Sequence, residues 1–343
     1  MDTKKELRIH NRRYIGSKTK LIDNIDNVVK EFYGNKKVKI ADIFGGTGVV
    51  ANHFAENGYD VIVNDFLYSN CVAYDTWISN EEFELKKIIN AIEYYNSIDS
   101  HKLEENYFSE KFGNKYFDTN DAKKIGFIRE DLEENKNKYT KREFNSILTS
   151  LMYETDKIAN TCGHFESYLN KIPKEKGVIL QVPDIKLKNQ KTEIYCMDSN
   201  ELVKNIYADV FYIDPPYNAR QYVNFYHVLE NLVRWEKPQE LEGRSMKFKR
   251  NHLKSKYSRP EAPEVFEDLI ENIKGELIIV SYNNTYNAKS TSSNNKITEE
   301  QMVKILSNKG KIKRVDIGYK SFNAGKTDLK NHKEYLYVCE VKK

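Results

Sequence analysis

Four short stretches carry residue types that could do chemistry together. Asp214-Pro215-Pro216-Tyr217 closes an apolar run, Ala208 to Ile213, that reads as a buried parallel strand. Two consecutive prolines fix φ, remove two backbone donors and drive Asp214 out of the helical region. The result is a stiff loop bearing a carboxylate, carbonyls with no amide of their own, and an aromatic ring. Such a set can hold a planar, amine-bearing ring by its edge and its face. By itself the loop leaves adenine, cytosine, guanine and glutamine amines open as acceptors.

The second stretch, Phe44-Gly45-Gly46-Thr47-Gly48, joins a strand expected over Val38 to Phe44 to a helix expected over Val49 to Glu56. A strand over Tyr59 to Asn64 follows and ends at Asp65. Strand, glycine turn, helix, strand and acid make the nucleotide-binding βαβ unit, in which the acid accepts from ribose hydroxyls. Asp198 ends a further strand, Thr192 to Met197. A parallel sheet would bring Asp65, Asp198 and Asp214 to one edge.

The third stretch, Arg13-Tyr14-Ile15-Gly16-Ser17-Lys18, precedes a helix with an apolar stripe of Leu21, Ile22, Ile25, Val28, Val29 and Phe32. Ser17 is the expected N-cap and Gly34 the stop. Tyr14 and Lys18 beside a helix N-terminus could receive a carboxylate. Neither Gly16-Ser17-Lys18-Thr19 nor Gly325-Lys326-Thr327 has phosphate-loop spacing, which argues against a nucleoside triphosphate. The fourth stretch, Gly243 to Arg259, holds seven Lys or Arg and no acid, interleaved with Phe248 and Tyr257. Lys247, Lys249, Arg250, Lys254 and Lys256 there suit a phosphate backbone.

The remaining pattern supplies the frame. Ser79 to Gln190 interrupts the βα alternation with helical patterns such as Phe144-Ile147-Leu148-Leu151, predicting a mostly helical insertion. Its charge run, Glu130 to Arg142, reads as a solvated helix face. Asn160 to Phe165 reads as a structural or substrate-contacting loop, because one Cys and one His are too few for a metal site. A helix through Phe225, Val228, Leu229, Leu232 and Trp235 follows the Asp-Pro-Pro-Tyr loop. Glu276 to Tyr282 is a further strand, a helix is expected near Glu299 to Ser307, and Lys311 to Gly318 and Glu334 to Val341 close the sheet. The fold class is α/β, a mostly parallel sheet with a closing antiparallel strand. The sheet domain is expected over 1–78 and 191–343, and the insertion over 79–190.

Bulk composition narrows the classes. The 343 residues are 39% hydrophobic and 31% charged, with a net charge of +4, so the placement of charge matters more than its sum. No apolar run approaches ~18 residues, so no membrane span is expected. The N-terminal stretch lacks the apolar core of a signal peptide. Cys71, Cys162, Cys196 and Cys339 include no pair at metal-ligand spacing. A cytoplasmic location is expected.

The chain resembles the S-adenosylmethionine-dependent N6-adenine DNA methyltransferases, in the subgroup whose N-terminal cofactor motif precedes the glycine motif, as in restriction-modification methylases. The matching residues are Arg13 to Lys18, Asp42 to Gly48, Asp65, Asp214 to Tyr222 and Asn224 to Glu230. The resemblance implies a Rossmann-like methyltransferase sheet, with the insertion as a target-recognition subdomain. It implies that Tyr14 and Lys18 contact the cofactor, that Phe44, Gly45, Gly46, Thr47 and Gly48 hold its methionine part, and that Asp65 and Asp198 meet its ribose and adenine. Asp214, Pro215, Pro216 and Tyr217 become the catalytic loop acting on a flipped-out adenine, and Arg220 joins the basic residues as a DNA contact. The implied partners are double-stranded DNA and a cognate restriction endonuclease, with no metal. A cytosine C5 enzyme would need a nucleophilic thiol, usually after a proline, and no cysteine follows one. Cytosine N4 enzymes usually carry Ser in place of Asp214. An RNA base-amine methyltransferase and a non-catalytic DNA-recognition subunit are the alternatives; the Arg13 to Lys18 start and the intact Asp214 to Tyr217 loop weigh against them.

Overall fold

The computed structural model describes residues 6–285, 294–318 and 333–342; the Gly325-Lys326-Thr327 stretch lies outside them. The chain divides into two compact units.

One unit comprises Lys18–Phe66, Gln190–Tyr222 and His252–Lys343 and contains the sheet. Its strands are β1 (Lys39–Asp42), β2 (Asp60–Asn64), β3 (Thr192–Tyr195), β4 (Val210–Ile213), β5 (Leu277–Asn283), β6 (Gly310–Gly318) and β7 (Lys333–Val341). They lie in the order β3-β2-β1-β4-β5-β7-β6. β1 to β5 run parallel, whereas β7 is antiparallel to both β5 and β6. The inner parallel strands are apolar on both faces, as a sheet covered on two sides requires: Ile40, Val61, Ile62 and Ile278 are all wholly buried, whereas the edge strand β3 is only half-buried. The helices of this unit are α1 (Ile22–Tyr33), α2 (Val49–Glu56), α8 (Ser199–Val203), α10 (Ala262–Asn272) and α11 (Glu299–Lys309). α10 has Pro263 in its first turn, where a missing amide costs nothing. Neither α10 nor the helix over Tyr68–Trp77 is expected from the sequence pattern.

Parallel strands place their carboxyl ends together. Asp65 directly follows β2, Asp214 directly follows β4, and Asp198 lies three residues beyond β3. β1 and β4, in register through Asp42 and Tyr212, sit at the centre of the sheet. The helix after the Arg13 to Lys18 stretch starts later than expected: a 3-10 turn, Thr19–Leu21, precedes α1, so Ser17 is not the cap. Gly34 does stop α1, at φ 62°.

The other unit comprises Met1–Ser17, Leu67–Asn189 and Val223–Asn251. It is helical, with α3 (Tyr68–Trp77), α4 (Leu85–Ser97), α5 (Tyr107–Phe112), α6 (Thr119–Glu134), α7 (Lys141–Ile158) and most of α9 (Tyr222–Arg234). It takes in more chain than 79–190, and the bonds show why. Thr76 on α3 donates to Thr149 on α7 (2.9 Å), and the wholly buried Glu230 of α9 accepts the Ser69 amide at 2.7 Å, satisfying the start of α3. α7 is capped by Thr140, whose hydroxyl accepts the Glu143 amide while Glu143 accepts the Thr140 amide.

Most of the Glu130 to Arg142 run is solvated as expected, with Glu134, Lys136, Lys138 and Lys141 exposed, but its last residue is not. Arg142 is wholly buried and donates to the Glu81, Thr76 and Lys186 carbonyls at 2.6, 3.3 and 3.0 Å. Three carbonyls around one guanidinium replace its lost water, which periodicity alone does not reveal. Asn160 acts structurally, its amide donating to the carbonyls of Lys115, Leu169 and Lys171. Among the described residues no helix is long and apolar enough to cross a membrane.

Candidate active site

In the sheet unit the site grows from the glycine turn between β1 and α2. The Gly45 amide donates to the Asn64 carbonyl (2.8 Å) and the Gly48 amide to the Gly45 carbonyl (2.7 Å). Gly46 and Gly48 have φ of 54° and 81°, the left-handed region that a side chain disfavours. The Gly46 amide donates to Asp65 Oδ2 at 2.9 Å, which ties the acid after β2 to the turn after β1. Phe44 packs edge-on against Tyr257, at 5.1 Å between ring centroids. Thr47 is buried.

Asn64, wholly buried, knits three strand ends and was not singled out from sequence. Its Nδ2 lies 3.1 Å from the Ile43 and Met197 carbonyls and 3.2 Å from Ser199 Oγ, and its Oδ1 accepts the Met197 amide at 3.1 Å. Asp198 caps α8, its Oδ1 accepting the Asn200 and Glu201 amides at 2.9 and 3.3 Å. Asp42, at the end of β1, is 1% exposed, and neither carboxylate oxygen has a hydrogen-bond partner among the described residues. Burial drives its pKa well above the usual carboxylate range, and the neighbouring Asp214 charge adds to this.

The Asp214 loop leaves β4 beside Lys18. Lys18 Nζ is 3.1 Å from Asp214 Oδ1, with the two side chains 7% and 17% exposed. Lys18 also donates to the Tyr217 hydroxyl, and that hydroxyl donates to Asp214 Oδ1. Both contacts fall on one carboxylate oxygen; Oδ2 accepts no hydrogen bond among the described residues. Burial raises Asp214 to about 6, against the opposing pull of Lys18. Pro215 is buried and Pro216 half-buried. The Tyr217 ring meets Tyr282 edge-on at 4.7 Å, and its carbonyl accepts the Lys296 amide at 2.7 Å. Gln221 holds the loop's far end by two bonds to the Ser255 backbone, at 3.0 and 2.8 Å. A carboxylate so held presents a fixed acceptor to an incoming amine.

The helical unit carries Tyr14. Its ring stacks on Tyr226 at 4.7 Å and 4°, the Arg12 guanidinium lies over both rings, and Asn70 donates to its hydroxyl at 3.2 Å. Tyr226 breaks the helical dihedrals of α9, and the Phe165 amide takes the Phe225 carbonyl there, so the kink has a bonded cause.

The basic stretch divides by environment. Lys249 is 75% exposed and pairs with Glu240, Lys256 and Arg220 are exposed, and Lys254 is half-exposed. Arg250 is only 11% exposed, its Nε donating to Asn224 Oδ1 at 2.7 Å, and Lys247 is half-buried. Phe248 and Tyr257 are buried and so pack rather than present rings to solvent.

These residues suit a sulfonium-bearing nucleoside cofactor. The Asp65 and Asp214 carboxylates favour a cation, and the left-handed glycine turn lets a ligand approach backbone amides. Among the described residues no group of His, Cys, Asp and Glu forms a metal cluster.

A family model described as D12 class N6 adenine-specific DNA methyltransferase matches residues 14–283. The chain is 30% identical over 342 residues to Type II methyltransferase M.NlaIII of Neisseria lactamica, covering 95% of this chain and 98% of that protein. It is 34% identical to Modification methylase StsI of Streptococcus sanguinis over 79% of this chain and 44% of the relative. For Type II methyltransferase M.FokI of Planomicrobium okeanokoites the identity is 32%, over 87% and 47%. The chain thus spans nearly all of the first relative and about half the length of the other two. By this match the chain belongs to the D12 class of N6 adenine-specific DNA methyltransferases, with S-adenosylmethionine as its cofactor.

Proposed function

We propose that the chain methylates N6 of an adenine flipped out of a specific double-stranded DNA site, as the modification enzyme paired with a restriction endonuclease in the cytoplasm. The observation that carries this reading is the Asp214 carboxylate, sheltered at the end of β4, with Oδ1 taken by Lys18 and Tyr217.

The exocyclic nitrogen of adenine is a poor nucleophile, because its lone pair is delocalised into the ring. Asp214 and the Pro215 carbonyl accept the two amino protons, which favours the tetrahedral nitrogen that attacks. Acceptors fixed before the reaction act on developing charge, and losing one costs on the order of 100-fold or more in rate. Pro216 stiffens the loop and Tyr217 stacks on the base. S-adenosylmethionine supplies an electrophilic methyl group. Tyr14, Lys18, the Phe44 to Gly48 turn, Asp65 and Asp198 hold this cofactor, so that proximity supplies much of the remaining acceleration. Arg220, Lys247, Lys249, Arg250, Lys254 and Lys256 face or frame the phosphate backbone, and the helical insertion reads the target.

The test is Asp214→Ala. Methyl transfer to unmethylated DNA should fall below detection while cofactor binding persists in a calorimetric titration. Retained methylation removes Asp214 from the reaction.

A further inference from the structure

Glu334, near the start of β7, pairs with Asn283 of β5 and lies in none of the sequence stretches that mark the family. Its side chain is 9% exposed, and Oε2 stands 3.9 Å from Lys18 Nζ. Lys18 therefore lies between two sheltered carboxylates, Asp214 at 3.1 Å and Glu334. One ammonium serving two carboxylates neutralises neither fully.

The charged and titratable groups around Asp214 come from every neighbouring element. Lys18 precedes α1, Asp42 ends β1, Tyr212 lies in β4, Tyr217 is in the same loop with Tyr282 of β5 behind it, and Glu334 is in β7. Lys18 and the Tyr217 hydroxyl stabilise the Asp214 carboxylate; Glu334 acts in the opposite sense.

We propose that Glu334 is a positioning residue for methyl transfer, sharing the Lys18 ammonium with Asp214 so that the Asp214 carboxylate stays able to take the proton shed by the adenine amine. The inference rests on Asp214 being the amine acceptor. In the step, the nitrogen lone pair forms the N–C bond and the sulfonium S–C bond breaks with its electron pair returning to sulfur. The methylated nitrogen then loses its proton to Asp214, which passes it to water. A carboxylate held by Lys18 alone is a weaker base and a poorer destination for that proton.

The experiment uses the full chain with Glu334→Gln and Glu334→Asp. kcat/KM for methylation of unmethylated genomic DNA is measured against pH, and the Asp214 carboxyl is titrated by carbon NMR in the protein without cofactor. Glu334→Gln should move both the acid limb and the Asp214 titration down by about one pH unit, and Glu334→Asp should restore them. An unshifted limb and an unshifted titration overturn the proposal, whether or not the rate falls. Should Glu334→Gln not fold, the unaltered protein decides: a coupled pair gives Asp214 a two-step titration, and a single step overturns the proposal. Asp214→Asn separates the two ideas. If it still methylates, the acceptor assignment fails, while the Glu334 effect on the Asp214 titration is judged independently.

Discussion

Lys18 Nζ lies 3.1 Å from Asp214 Oδ1 in a setting that leaves the two side chains 7% and 17% exposed. Burial and Lys18 pull the Asp214 carboxylate in opposite directions, and burial prevails, placing it at about 6. The acceptor must be ionised, so kcat/KM should rise with pH through about 6 and level off above it. Lys18→Met removes the stabilising cation and should carry the acid limb upward by about one unit. The measurement is a pH–rate profile at saturating cofactor. A limb that stays in place in Lys18→Met rules out Lys18 as the group that stabilises the ionised acceptor.

Asn64 bonds the ends of β1, β2 and the turn beyond β3 through one amide group, wholly out of solvent. Asn64→Ala removes the donor to the Ile43 and Met197 carbonyls, of which Ile43 keeps the Ser199 hydroxyl, and the acceptor of the Met197 amide. It should lower stability by about 2–3 kcal/mol in denaturant unfolding. Cofactor affinity should fall with it, because the side chain anchors the strand end whose backbone carbonyl holds Gly45 and which Asp65 directly follows. An unchanged unfolding midpoint shows that the three strand ends hold without Asn64.

The contrast between these residues shows what a sequence can and cannot disclose. Asp214, Gly46 and Asp65 sit where short-range rules apply: a proline pair, a left-handed turn, an acid closing a strand. The strand ends containing them were therefore legible, as was α2, whose bounds match the expected Val49 to Glu56. Asn64 reads as the last residue of an apolar strand, and Glu334 as an ordinary polar residue opening another. Only the strand order, with β7 inserted between β5 and β6, sets Glu334 near Lys18. Long-range pairing of that kind leaves no local periodicity. The same holds for Arg142, whose charge fits a solvated run until its three carbonyl partners, 44 to 66 residues away, are seen.

Arg142→Met preserves much of the side-chain volume and deletes all three donors. The Glu81, Thr76 and Lys186 carbonyls are then left without a charged partner, and stability should fall by about 3 kcal/mol. Burial already depresses the guanidinium to about 10, and these bonds offset the water it has lost. Arg142→Lys should recover a part of the loss, since an ammonium cannot reproduce the guanidinium fork. Thermal unfolding of the two variants checks the order; a melting temperature for Arg142→Met equal to that of the native protein refutes the clamp.

The basic stretch offers a division that salt titration can test. Lys249, Lys254 and Lys256 are at least partly exposed, whereas Arg250 is spent on Asn224 in the first turn of α9. Neutralising the three lysines should flatten the plot of log binding constant against log salt by about 0.9 for each phosphate that is no longer neutralised. Arg250→Ala should weaken binding about equally at every salt concentration, because it unseats the start of α9 without freeing a phosphate. The check is fluorescence anisotropy of a labelled duplex across a salt series. A slope that falls in Arg250→Ala and holds in the triple lysine variant reverses the assignment: the buried arginine would then neutralise the phosphate, and the exposed lysines would be a solvated surface.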